Sequence, residues 1–266
     1  MADLTRQALA VNQAFLALGN EVFEADGARF VRNRAIPAVW DCNHVAHVRA
    51  AKPEQIDRLL ARADKEFNHI SYRRFDVDAY TPPEFEARLS HEGYRGGDAL
   101  VMVLEGGPAG EPKPCEIRPI ENEADWQAYE ALHEIDWRDY VDRLGRRDDV
   151  WVAESMYRAR RAKSPPVRYW LAWADGRAAA YLASWEGITG VGQVEDLFTH
   201  PDHRHRGLAT ALLHHGVADC RAHGAGPIVI VADPADTPKQ IYTALGFRPV
   251  AIKRSYRKSL EPKGRT

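Results

Sequence analysis

The stretch Arg204-His205-Arg206-Gly207-Leu208-Ala209 follows a strand-like run from Gly192 to Thr199 and leads into a helical one from Gly207 to His223. A helix start leaves its first backbone N–H groups without intrahelical acceptors, and the helix dipole adds partial positive charge there. Glycine at that junction lets the main chain come close to an anion, and Arg204, His205 and Arg206, with His203 just before, add positive character. The loop therefore suits a pyrophosphate, although the same residues would also serve as a basic helix start without a ligand. Neither Gly-x-Gly-x-x-Gly nor Gly-x-x-x-x-Gly-Lys-[Ser/Thr] occurs, so other glycine-containing anion loops do not compete.

Working outward, Ala209, Leu213, Val217 and Cys220 recur at helical spacing, and Gly224 suits the end of that helix. Pro227 to Ala232 is a nearly continuous apolar run, as expected of a strand covered on both faces. Thr237 to Leu245 reads as a helix stopped by Gly246, and Phe247 starts a last strand. Upstream, Arg168 to Ala174 and Ala178 to Trp185 flank Asp175-Gly176 as a hairpin. Glu123 to about Ala162 reads as amphipathic helix rich in Trp and Tyr, and Cys115 to Ile120 as a short strand. The run Glu105 to Pro114 holds three glycines and three prolines and reads as a linker. It divides the chain into 1–112 and 113–266.

The first half is less regular. Leu4 to Leu18, Pro53 to Glu66 and Phe85 to His91 read as helices, and His69 to Asp76 and Ala99 to Leu104 as strands. It ends in strand, helix, Gly93-Tyr94-Arg95, strand; the second half ends in strand, helix, Gly246-Phe247-Arg248, strand. The matching order points to an internal duplication.

Arg204, Gly207 and Ala209 fill the fixed positions of [Arg/Gln]-x-x-Gly-x-[Gly/Ala], and the segment resembles the acetyl-CoA signature of the GNAT superfamily of N-acetyltransferases. Glu195-Asp196-Leu197-Phe198-Thr199-His200-Pro201 resembles the strand entering that loop, and Tyr242-Thr243-Ala244-Leu245-Gly246-Phe247 the family's later Tyr-x-x-x-Gly-Phe element. The three occur in order over Cys115 to Arg257. The resemblance implies an α/β fold with two GNAT-like units in tandem, each a twisted mixed sheet flanked by helices, the second one catalytic. It implies acetyl-CoA as cosubstrate, held by Leu197, Phe198 and Thr199 on the strand and by Arg204, His205, Arg206, Gly207, Leu208 and Ala209 in the loop. Many members carry an Asn between the later strand and the tyrosine helix; here Asp233 to Lys239 contains none, and whether Asp236 or Lys239 substitutes stays open.

An alkyl amine of pKa about 10.4 is almost wholly protonated at neutral pH, and only its neutral form attacks a thioester. Glu195 is the candidate general base, although a strand-end carboxylate could instead pair with an arginine. Asp196 would face the other way on a regular strand unless a bulge intervenes. Tyr242 is the candidate acid for the departing thiolate, a role the resemblance implies; otherwise it packs on the sheet. The expected reaction is direct acetyl transfer to the amine of a small molecule. Open alternatives are a protein or peptide amine, a hydroxyl, a longer acyl group, and an acyl-CoA sensor without turnover.

A formal net charge of -2 gives no bias toward nucleic acid or membrane, and no run approaches the roughly 18 apolar residues of a membrane span. Three widely spaced cysteines and a start without a signal-peptide pattern fit a cytoplasmic protein. The histidines at 200, 203, 205, 214 and 215 do not follow zinc spacing, so no metal is expected. Most of Trp126, Trp137, Tyr140, Trp151 and Tyr157 are expected in the core, with some lining an acceptor pocket that Glu134 and Asp136 could make attractive to a cation. If Gly93 corresponds to Gly246, Leu89 occupies the place of Tyr242. The first half then reads as a degenerate unit that does not bind acetyl-CoA. A homodimer stays open.

Overall fold

The computed structural model describes residues 2–143 and 150–260. Residues 144–149 of the expected helical stretch, and the tail after Leu260 expected to be disordered, lie outside the described residues. The order is α1 (Ala2–Ala17), β1 (Glu21–Ala25), β2 (Ala28–Arg32), β3 (His44–Ala46), α2 (Pro53–Glu66), β4 (Tyr72–Val77), α3 (Pro83–His91), β5 (Arg95–Leu104), β6 (Glu116–Pro119), α4 (Glu123–Arg143), α5 (Val150–Arg161), β7 (Arg168–Ala174), β8 (Arg177–Ile188), β9 (Val191–Thr199), α6 (Leu208–Ala222), β10 (Ile228–Ala232), α7 (Pro238–Ala244) and β11 (Arg248–Ser259). None of the described helices is long and apolar enough to cross a membrane.

All the strands join one mixed sheet in the order β1-β2-β3-β4-β11-β5-β10-β9-β8-β7-β6. Within it the same unit occurs twice. β1, β2 and β3 run antiparallel and β4 lies parallel to β3; β7, β8 and β9 run antiparallel and β10 lies parallel to β9. Helices α2 and α6 make the crossovers that a parallel pair requires. The first hairpin of each unit turns on Asp-Gly, Asp26-Gly27 and Asp175-Gly176, with all four residues at positive φ. The sequence reading passed over the β1–β2 hairpin although its Asp-Gly signal is present. At the other end the match reaches single hydrogen bonds. Tyr94 N–H donates to Leu89 O and Phe247 N–H to Tyr242 O, each at 3.0 Å, with Gly93 and Gly246 left-handed between them.

The units exchange their last strands. β11 inserts between β4 and β5, and β5 inserts between β11 and β10, so each unit's final strand lies against the other's parallel strand. Helix α1 also crosses over: it packs on β8, β9, β10 and β5. One face of the second unit's sheet is therefore covered by α1, α4 and α5 around Phe15, Trp126, Tyr129, Tyr157, Tyr181 and Phe198. The opposite face carries α6 and α7 over Leu182, Val194, Leu212, Ile230 and Phe247. Phe30, Leu59, Phe75, Phe85 and Leu89 form the core under α2 and α3. The Gly/Pro run joins β5 to β6 as coil.

Candidate active site

The site lies where β9 and β10 part. They pair only at Ile228–Gly192 and Val229–Gln193. Beyond that point β9 bulges: Ala183 faces Glu195 and Tyr181 faces Phe198, three residues against two, with Asp196 at φ 57°. A bulge re-aims side chains and ends pairing. The gap is a cavity of about 230 Å³, with Glu195, Asp196 and Leu197 from β9, Ile230 to Ala232 from β10, and Tyr242 from α7 in its lining. It adjoins a larger cavity of about 740 Å³ through the shared residues Leu197, Asp236 and Pro238.

The larger cavity contains the anion loop. Phe198, Thr199, Arg204, His205, Gly207, Leu208 and Ala209 line it, and Lys113 and Arg143 add positive charge. Gly207 sits at φ 92° immediately before α6, and a Cβ there would lie 3.1 Å from the Lys113 side chain. A side chain at this position is thus strained by conformation and crowded as well. Arg204 donates to Asp139 at 2.8 Å and to the Thr199 carbonyl at 3.3 Å. Arg206 turns away to Asp175 at 2.7 Å and to His203 Nδ1 at 2.8 Å. Of the loop's arginines, only Arg204 has its side chain at the cavity.

Glu195 is partly buried and accepts a hydrogen bond from Gln193 Nε2 at 2.9 Å. Burial, then the Asp196 charge, push its carboxyl up to about 7 from the ordinary value of 4.5, against the pull of Lys253, Gln193 and Lys163. It is Asp196 that pairs with an arginine, Arg160 at 3.0 Å. Arg160 also donates to Tyr181 Oη at 2.9 Å and to His133 Nδ1 at 2.7 Å. Burial holds Tyr242 protonated well above the usual phenol range, and the nearby charges of Glu195 and Asp236 add to this.

The structure thus brings Glu195, Tyr242, the strand Leu197–Thr199 and the loop into two adjoining cavities. The Arg206 side chain alone among the expected site residues stands aside. Lys113, Asp139, Arg143, Thr210 and Ile241 also line the larger cavity and were missed. They come from the linker, α4, α6 and α7, and no local spacing connects them. Asp136, picked out as a cation attractor, lines the cavity but is engaged by the Tyr181 hydroxyl. Trp126 and Tyr157 are core residues, whereas Trp151 is 54% exposed. Among the described residues no group of three or more His, Cys, Asp or Glu could hold a metal ion.

Residues 129–247 match the model of the Acetyltransferase (GNAT) family. These residues carry the likeness to GNAT acetyltransferases. A mycothiol acetyltransferase of Thermobispora bispora is 28% identical, over 92% of this chain and 95% of that protein. Among solved structures, a GCN5-related N-acetyltransferase from Kribbella flavida superposes with a TM-score of 0.68 at 18% identity, covering 98% of this chain and 96% of its own. A tandem GNAT protein from the clavulanic acid biosynthesis pathway superposes with a TM-score of 0.59 at 15% identity, covering 89% and 79%. The fold is accordingly a tandem GNAT fold. In its first unit the places matching the site are filled: Leu89 stands where Tyr242 does and is fully buried. Pro53 opens α2, and the Gln55 side chain takes up the N–H groups of Ala51 and Lys52 at 3.3 and 3.1 Å. The backbone donors that an anion would need are thus partly spent.

Proposed function

We propose that the chain moves the acetyl group of acetyl-CoA directly to a primary amine of a small molecule. The observation that carries this reading is the pairing of Glu195 and Tyr242 in the lining of one cavity, adjoining the cavity of the anion loop. In this scheme the first N–H groups of α6, with Gly207 and Arg204, receive the pyrophosphate. The unpaired edges of β9 supply N–H and C=O groups to the amide-rich arm, much as in strand addition. Glu195, poised near pH 7, takes the proton released as the new C–N bond forms. Tyr242 gives its phenolic proton to the sulfur as the C–S bond breaks. No covalent enzyme intermediate is needed. The relative named for mycothiol, a small molecule, supports a small acceptor. In this reading 1–112 and 113–266 are two repeats of one working unit, with the first contributing α1 and β5 to the second.

Calorimetry with acetyl-CoA tests the cosubstrate site. Gly207→Glu is expected to weaken binding at least about a hundredfold, since it places a carboxylate where the phosphates must sit. Thiol release with a panel of amines then tests transfer. Failure of the wild type to bind acetyl-CoA would overturn the proposal.

A further inference from the structure

The face of the sheet that carries Glu195 also holds two lysines that the scheme above does not use. Lys253 on β11 is 8% exposed and donates to Asn12 Oδ1 on α1 at 2.6 Å. Lys163, just after α5, is also 8% exposed, and its Nζ lies 4.0 Å over the Phe15 ring of α1. Among the described residues neither ammonium has a carboxylate within ion-pair distance. The contrast with their neighbour Arg74 is sharp: its guanidinium is matched by Asp76 at 2.7 Å and Asp41 at 2.5 Å. Removing an ammonium from water without a counterion is costly, so two such groups beside one site call for an anion.

Unmet hydrogen-bonding atoms accompany them. Gln13 Oε1 on α1, Gln193 Oε1 on β9 and both ring nitrogens of His44 on β3 are buried without a partner. Gln193 is fully buried and is already tied to Glu195 through its Nε2. Its free oxygen therefore adds a second acceptor beside the Glu195 carboxylate. The charges of Lys163 and Lys253 favour the ionised form of both Glu195 and Asp41. Asp41 is 52% exposed at its side chain. The region offers acceptors at Glu195 and Gln193 and donors at Lys163 and Lys253, which is the pattern of a molecule carrying an amine and an anion.

We infer that the acceptor is an amino carboxylate, with its amine at Glu195 and Gln193 and its carboxylate on the ammonium groups of Lys163 and Lys253. The inference rests on the acetyltransferase reading and names the substrate class of the same site. α1 and β11 thereby take part in choosing the substrate, Lys253 through its own ammonium and Asn12 by holding it. The transfer itself is unchanged: the amine nitrogen bonds to the acetyl carbon, sulfur leaves, and one proton passes to Glu195.

The test uses the full chain and matched acceptors: the common L-amino acids, β-alanine and γ-aminobutyrate, each against its carboxamide. Carboxamides have the less basic amines, so intrinsic reactivity favours them, and a preference for carboxylates must come from the protein. Thiol release is expected with at least one amino acid at a kcat/KM ten or more times that of its amide, a ratio within reach of one charged hydrogen bond. In Lys163→Met and in Lys253→Met the KM for that amino acid should rise about tenfold or more. The preference over the amide should collapse, and acetyl-CoA affinity should be retained. Thermal unfolding gives a separate readout. A lysine kept for the ligand is a burden to the empty fold, so Lys163→Met, which strands no hydrogen-bond partner, should melt at the same or a higher temperature; a lower melting temperature in it would assign the lysine a structural role and overturn the inference. Turnover of amines without carboxylate preference would also overturn it while leaving acetyl transfer intact. No turnover of any amine, with acetyl-CoA still bound, would instead remove the acetyltransferase reading. Calorimetric binding of the amino acids, lost in Lys163→Met, would then still decide the anion site.

Discussion

At the residue scale the proposed transfer rests on two shifted groups, Glu195 and Tyr242. Replacing Glu195 by Gln removes the base and is expected to lower kcat by about 10²- to 10⁴-fold, with acetyl-CoA affinity little changed. The wild-type rate should rise with pH and level off above about 7, where Glu195 is ionised, and the variant should lose that limb. Stability changes in the opposite sense. A carboxyl whose folded pKa is raised contributes stability that is complete below its unfolded value and lost as pH rises through the folded one. Glu195→Gln is therefore expected to raise the melting temperature relative to wild type more at pH 8 than at pH 4. Tyr242→Phe should cut kcat about tenfold or more, and both kcat and kcat/KM should fall if the phenol acts only as sulfur leaves. A change confined to KM would assign Tyr242 to packing. The places of Glu195, Gly207 and Tyr242 at the cavities were legible in the sequence because each sits at a fixed distance from a chain-local landmark. The roles of Lys113, Lys163 and Lys253 were not, because a lysine's burial and company are set by strands far away in the chain.

At the element scale the decisive feature is the bulge of β9, which ends pairing with β10 and opens the cavity. Its Asp196 is anchored by Arg160, whose guanidinium reaches Tyr181 and His133 as well. Burial forces His133 to stay neutral, down to about 3, and raises Asp136 above the usual carboxylate range. Arg160→Met would strand Asp196 and Asp136 without their cation and should cost about 3–5 kcal/mol in urea unfolding. The loss should shrink as pH falls, since Asp136, whose carboxyl burial raises, no longer needs the partner once protonated. Most elements were legible. Helix α6 showed its apolar spacing, β10 its unbroken apolar run, and the β7–β8 turn its Asp-Gly. The bulge was open in the sequence as an alternative to a regular strand, because nothing local distinguishes the two. The β1–β2 hairpin was passed over because Glu21–Ala25 shows no period-two alternation of apolar and polar residues, being a strand at the sheet's edge with its side chains largely exposed.

At the scale of the whole molecule, the duplication was visible in Gly93-Tyr94-Arg95 and Gly246-Phe247-Arg248, but the exchange of β5 and β11 was not. The same strands in the same order could have closed each unit on itself; pairing between strands so far apart in the chain leaves no mark in either strand's own pattern. The exchange makes a specific prediction. A fragment of residues 113–266 lacks β5, which separates β10 from β11, and α1, which covers the Phe15–Trp185 region. It should be aggregation-prone and fail to bind acetyl-CoA when expressed alone, and co-expression of residues 1–112 should restore both properties. A fragment that is monomeric and binds acetyl-CoA by itself would show that the exchanged strand is dispensable.

The placement of β11 also has a consequence for biosynthesis. A ribosome delivers the chain from its N-terminus, and multidomain proteins commonly fold one domain after another as they emerge. Here that order is blocked. The first repeat is complete in sequence by Leu104, yet the strand that closes its sheet, Arg248–Ser259, is synthesised only after β10 and α7 of the second repeat. Until then β4 and β5 each present an open edge that the nascent chain must keep from pairing with a neighbouring copy. Both halves therefore reach their native state together, once β11 has been synthesised.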